Sequence, residues 1–161
     1  MTTRLFIFGT GAHARKVYHY AVDRGWHVAA FVDEAVGAVA PISGVPVLRS
    51  QDLEEPLMDD AMFVAIGRAD VRRRLMDRMD AAGWRLPALV HRTAWIAPDA
   101  TLEDGVLVAA GAVVETAATV ERGAIIDIGV LVDHECRIGA FCHLRPGEVC
   151  GPRSDIPSPV L

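Results

Sequence analysis

From Ile96 onward the hydrophobic pattern repeats every six residues. Ile96, Leu102, Val108, Val114, Val120, Ile126, Val132, Ile138, Leu144, Cys150 and Ile156 share one phase, and ten of these eleven are branched aliphatics. Four positions after each of the first eight stands a small residue: Ala100, Val106, Ala112, Ala118, Ala124, Val130, Cys136 and Cys142. The position directly after the aliphatic, through Gly139, holds only Gly, Ala, Asp or Glu. A helix cannot keep this register, because six residues turn it through about 600° and the apolar stripe wanders. A solenoid can. If each hexapeptide is one short strand and a corner, the large aliphatic and the small residue both point inward and stack from coil to coil.

The first half obeys a different rhythm. Arg4–Gly9 is a short apolar run ending in glycine, and Ala14, Val17, Tyr18 and Ala21 follow at the spacing of an amphipathic helix that Gly25 closes. His27–Asp33 and Met62–Gly67 read as further buried strands. Val71, Leu75 and Met79 then mark a second helix that stops near Gly83. Strands alternating with helices predict a short Rossmann-like parallel sheet. Nine of the ten aromatic residues lie before residue 96, so the expected division is a Rossmann-like α/β domain over 1–88 and a β-solenoid over 89–161.

Charge sharpens this division. Residues 1–90 carry 11 basic and 11 acidic side chains and residues 91–161 carry 5 and 10, so the net charge of −5 arises wholly in the second part. No basic surface is on offer for nucleic acid. No apolar run approaches the roughly 20 residues of a membrane span, and the start lacks a signal-peptide layout, so the expectation is a cytoplasmic protein. Three cysteines, all beyond residue 135, suit reduced thiols better than a disulfide framework.

Two segments can carry chemistry. Gly9-Thr-Gly-Ala-His-Ala14 follows a strand and opens a helix, the context in which glycines let backbone approach a phosphate at a helix N-terminus. Asp33 ends the next strand, where a carboxylate can meet a ribose or base. In the solenoid, Val132 and Cys136 occupy inward phases, so His134, midway between them, should face outward; an imidazole is a usable base near neutral pH. Glu135 is next to it. The same phase argues against a metal at His134, Cys136, Cys142 and His143, because the cysteines face in while His134 faces out.

The repeat resembles that of left-handed β-helix acyltransferases, in which three hexapeptides make one triangular coil, placing three coils over residues 96–149. The order of motifs is similar to the sugar O- and N-acyltransferases of the sialic acid O-acetyltransferase and bacillosamine-pathway N-acetyltransferase type, through Gly9–Ala14, Phe31-Val32-Asp33 and Ile66-Gly67…Arg72. Ala12 stands where that family often has glycine, and Arg68-Ala69 replaces its common Asp/Asn pair. The resemblance implies acetyl-CoA as acyl donor, no metal, and a nucleotide-activated sugar held at Gly9, Gly11, His13, Asp33, Gly67 and Arg72. It also implies His134 as general base with Glu135 as helper, His143 near the thioester, and a homotrimer. An amide N–H of a neighbouring coil, near Gly147, is the expected oxyanion donor.

Beyond Leu144 the pattern weakens: Arg145 and Glu148 interrupt it, and Pro152, Pro157 and Pro159 crowd the end. Relatives continue for several coils that form much of the CoA channel. Two other readings therefore stay open, a non-catalytic nucleotide-sugar-binding module and a purely structural trimer. The proline-rich tail is expected to cover the last sheet edge.

Overall fold

A computed structural model describes residues 4–161, which fall into two compact units meeting between Leu86 and Pro87. The first contains β1 (Arg4–Phe8), α1 (Ala12–Asp23), β2 (His27–Val32), β3 (Val47–Leu48), a 3-10 turn at Ser50–Asp52, β4 (Ala61–Val64) and α2 (Ala69–Ala81). Its sheet runs in the order β3-β2-β1-β4 with every pairing parallel. Such strands are covered on both sides, which is why they read as continuous apolar runs; Leu5, Ile7, Phe31, Val32 and Met62 are almost fully buried.

Both helices stop as their glycines require. Gly25 and Gly83 sit at φ +81° and +83°, and the following amides, of Trp26 and Trp84, reach back to the carbonyls of Ala21 and Met79. At the amino end of β1, Arg4 clasps the buried Asp60 through Nε to Oδ1 at 2.8 Å and Nη2 to Oδ2 at 2.6 Å. That guanidinium holds the Asp60 carboxyl below the usual carboxylate range.

The second unit is a three-walled column of two-residue strands. One wall stacks β5 (Leu89–Val90), β8 (Leu107–Val108), β11 (Ile125–Ile126) and β14 (His143–Leu144). The next stacks β6 (Trp95–Ile96), β9 (Val113–Val114), β12 (Leu131–Val132) and β15 (Val149–Cys150). The third stacks β7 (Thr101–Leu102), β10 (Thr119–Val120), β13 (Arg137–Ile138) and β16 (Asp155–Ile156). All pairings are parallel and in steps of eighteen residues. The aliphatics from Val108 to Cys150 and the small residues from Val106 to Cys142 form one buried cluster, against which Ile96, Ala100, Leu102 and Ile156 pack.

The column is longer than the three coils expected over 96–149. It begins one hexapeptide earlier, at Leu89–Val90, and keeps its register through Ile156, giving each wall four strands. Arg145, Glu148 and Arg153 are exposed; Glu148 falls in the phase of the small inward residues and departs from it, while Cys150 and Ile156 keep the phase of the large aliphatics. The tail crosses Gly139: a Cβ there would lie 2.4 Å from the Ser158 nitrogen and 2.8 Å from the Pro157 carbonyl carbon.

The corners explain the other repeated positions. Residues 105, 111, 117, 123, 129, 135, 141, 147 and 153 all adopt left-handed backbone, five as glycine and four as Ala117, Glu135, Phe141 and Arg153. From Gly123 to Arg153 each donates its N–H to a carbonyl one coil below, as Glu135 does to Thr116 and Arg153 to His134. The acidic residues after the aliphatics satisfy the remaining corner amides. Asp127 and Asp133 accept from the next residue, Ile128 and His134, at 2.8 and 2.7 Å; Glu103 and Glu121 accept from Arg122 and Ala140 one coil above.

Candidate active site

His134 occupies the corner between β12 and β13 with its backbone pinned from both sides. Its N–H donates to Asp133 Oδ1 at 2.7 Å, and its carbonyl accepts the Arg153 N–H at 3.0 Å. The side chain is 41% exposed, as the repeat phase requires. Its Nδ1 lies 3.2 Å from Glu135 Oε2. Adjacent residues on a strand face opposite ways, but Glu135 is not on a strand: its φ of +57° swings the carboxylate round to the ring. Arg153 Nη1 stands 3.6 Å from the same oxygen.

Two residues below this corner had no motif to announce them. Thr116 stands one coil beneath His134 and donates its hydroxyl to Asp99 Oδ2 at 2.6 Å, a bond that holds the Asp99 carboxyl below its usual range. Thr116 stands one step of eighteen residues before His134 and Asp99 two such steps before Glu135, and that spacing is the signal that identifies them.

His143 is not beside His134. It opens β14, on the wall opposite the β12–β13 corner, with Nε2 3.1 Å from Oδ2 of the buried Asp127. Gly147 turns the corner between β14 and β15 at φ +75° and donates its N–H to Ile128 O at 2.9 Å. That amide is already used, which corrects the expectation of an oxyanion donor at Gly147 itself. Cys136 and Cys142 are buried, their thiols donating to the carbonyls of Gly151 and Pro157, and burial pushes the Cys150 thiol up. Among the described residues no three His, Cys, Asp or Glu side chains gather to hold a metal ion.

In the first unit the chain reverses direction across the sheet at β1, so the loops after β1 and β4 form the switch point where such sheets bind ligands. Gly9 has φ +116°, and a Cβ there would come within 3.0 Å of the Ala65 carbonyl oxygen and Ile66 Cδ1. Gly11 is the N-cap of α1 and brings no side chain to cap it, leaving the helix end open to an anion; His13 lies half-buried in that first turn. Asp33 accepts the Thr10 hydroxyl at 2.6 Å and the Ala35 N–H at 2.9 Å, beside a cleft of about 160 Å³ lined by Val36, Gly37, Leu48 and Arg49.

Arg72 does not reach out to this region. It is 1% exposed, and Nη1 donates to the carbonyls of Ile66 and Gly67 at 2.8 Å each. The diphosphate contact expected of it gives way to bracing of the loop that contains Gly67. Arg78 stacks over Phe8 and pairs with Glu34, whose carboxyl is held low by the Ser50 hydroxyl and by Arg78.

Residues 4–79 match the family described as the PglD N-terminal domain. PerB from Caulobacter crescentus, solved in complex with CoA and GDP-perosamine, is 34% identical over 90% of this chain and 70% of its own, with a TM-score of 0.75. The chain belongs to the hexapeptide-repeat sugar N-acetyltransferases. A mutant of the Caulobacter GDP-perosamine N-acetyltransferase aligns with TM-score 0.79 and 30% identity, covering 95% of this chain and 76% of that one. The acetyltransferase domain of PglB from Neisseria gonorrhoeae, at 23% identity, shares the fold with TM-score 0.81 over 98% of this chain and 86% of its own. No helix among the described residues is long and apolar enough to cross a membrane.

Proposed function

We propose that the acetyltransferase moves an acetyl group from acetyl-CoA to an amino or hydroxyl group of a nucleotide-activated sugar, with His134 as general base. The observation that carries this reading is the His134–Glu135 pair on a part-exposed corner. With Nδ1–H donating to the carboxylate, the lone pair of Nε2 points away from the corner and can take a proton. The acceptor nitrogen or oxygen attacks the thioester carbonyl, forming the new C–N or C–O bond. Its proton passes to Nε2 as the C–S bond breaks, and the CoA sulfur leaves as thiolate and recovers that proton. A carboxylate beside Nδ1 stabilises the imidazolium between the two steps.

Gly9, Gly11 and the open end of α1 would hold the phosphates, and Asp33 would meet the ribose or base. Gly67 and Arg72 shape the facing loop. The co-crystallised GDP-perosamine and CoA of PerB support a nucleotide-sugar acceptor, and the related GDP-perosamine N-acetyltransferase supports an amide product. Both co-substrates are metabolites of the cytoplasm, the compartment this reading assigns. Calorimetric titration with acetyl-CoA and with GDP-, UDP- and CMP-linked amino sugars tests it. Binding of acetyl-CoA and of one nucleotide class is expected; nucleotide binding without CoA binding would leave a sugar-nucleotide module and remove the transferase.

The family resemblance implies a homotrimer, and the placement of the two histidines supports a site shared between copies. One chain holds His143 and His134 on opposite sides of the column, so both can serve one thioester only across two copies. The outward positions of the β6-β9-β12-β15 wall are Trp95, Val113, Leu131 and Val149, an apolar ladder running along the column, whereas the next wall offers Thr101, Thr119, Arg137 and Asp155. Trp95, Leu131 and Val149 are exposed, a pattern that marks an interaction surface. Leu131→Asp should convert trimer to monomer in sedimentation equilibrium while the fold, by circular dichroism, is kept. A trimer of unchanged stability would remove this wall as the interface.

A further inference from the structure

We propose that Arg153 is a positioning residue for the transfer reaction, acting through Glu135 on His134; this rests on the general-base reading of His134. Glu135 has a long, 54% exposed side chain. Two groups meet Oε2: the His134 ring at 3.2 Å and the Arg153 guanidinium at 3.6 Å. Arg153 is eighteen residues beyond Glu135, in the same left-handed corner of the next coil, and its N–H binds the His134 carbonyl. It therefore holds the backbone of the base by its amide and the orienting carboxylate by its side chain.

The surrounding charges explain why a cation is needed there. Asp133 caps the His134 amide, Glu115 lies one coil below it and accepts the Thr116 N–H, and Asp99 takes the Thr116 hydroxyl. Glu135 thus shares one edge of the column with three further carboxylates. The Arg153 guanidinium is the cation that meets Oε2 on this acidic edge, on the oxygen that also faces the ring. An interaction of this exposed kind is worth a few-fold in rate, through the fraction of molecules with the ring correctly oriented.

Arg153→Gln keeps the amide contact and removes only the charge, so it isolates the side chain. The expected result is a kcat lower by about threefold to fivefold with KM for acetyl-CoA and sugar nucleotide unchanged, and recovery of most of that loss in Arg153→Lys. In a Glu135→Gln background the same Arg153→Gln change should have no further effect. Equal losses in both backgrounds, no recovery by lysine, or a shift in melting temperature with kcat intact would overturn the proposal. His134→Ala separates the two readings. If it stays active, the general-base assignment fails; if it is inactive while the Arg153 variants match the parent, only the role of Arg153 fails.

Discussion

His134→Ala should lower kcat by about two to four orders of magnitude, the range over which a positioned general base acts, with the affinity for nucleotide sugar unchanged. The separation follows from the architecture. The nucleotide's expected contacts lie in the segments after β1, β2 and β4, and the base lies in the solenoid, in the other compact unit. The side chain contributes no packing to the core, since the inward phases belong to Val132 and Cys136. Its backbone bonds to Asp133 and Arg153 survive truncation at Cβ. Melting temperature should therefore stay within a degree or two. Rates measured by release of free CoA thiol, together with calorimetry on the same preparation, check this. Parallel loss of activity and nucleotide binding would contradict the division of labour.

Glu135→Gly should separate stability from activity in opposite directions. A non-glycine residue at φ +57° costs about 1–2 kcal/mol relative to ordinary backbone, and glycine removes that cost while adding about 0.4–1 kcal/mol of unfolded-chain entropy. The variant is expected to be as stable as the parent or slightly more so in urea titration. Its kcat should nevertheless fall by about 10- to 100-fold, the scale on which orienting partners of a histidine act. Glu135→Ala keeps the strained backbone, as Ala117 does one coil below, and should lose the same activity without the gain. A Glu135→Gly enzyme of full activity would show that the carboxylate does nothing for the ring. Strain kept at one corner for the sake of chemistry is what the pair of variants would measure.

Much of this was legible in the chain, and the reasons differ by level. The solenoid was readable because burial in a stacked column depends on phase alone: Val132 and Cys136 point in, so His134 must point out, and it does. The column's extent was harder to read. Val90 carries the phase before Ile96, but a single hexapeptide next to the junction has no neighbour to confirm it. Arg145 looked like decay although a corner, unlike the interior, sets no requirement on polarity, whereas Glu148 does break the inward small-residue phase and is exposed.

β3, only Val47–Leu48, is too short for any periodicity. Arg72 was expected at a diphosphate because it matches the family's position; here the carbonyls of Ile66 and Gly67 take its guanidinium. The amide of Gly147 was offered to an oxyanion, whereas the coil-to-coil bonding of left-handed corners consumes it. The part played by Arg153 could be seen only once residues eighteen apart were known to stand above one another.

The step of eighteen residues also governs how the wall can change length. A gain or loss of one whole storey leaves each remaining rung above its former neighbour, so a lineage can heighten or shorten the column without relocating the imidazole. A single inserted residue before Val132 would turn every later rung out of line, sending buried aliphatics to the surface and the histidine toward the wrong edge. Variation in column height among relatives should therefore come in multiples of a full circuit, with the base held at one vertical edge throughout.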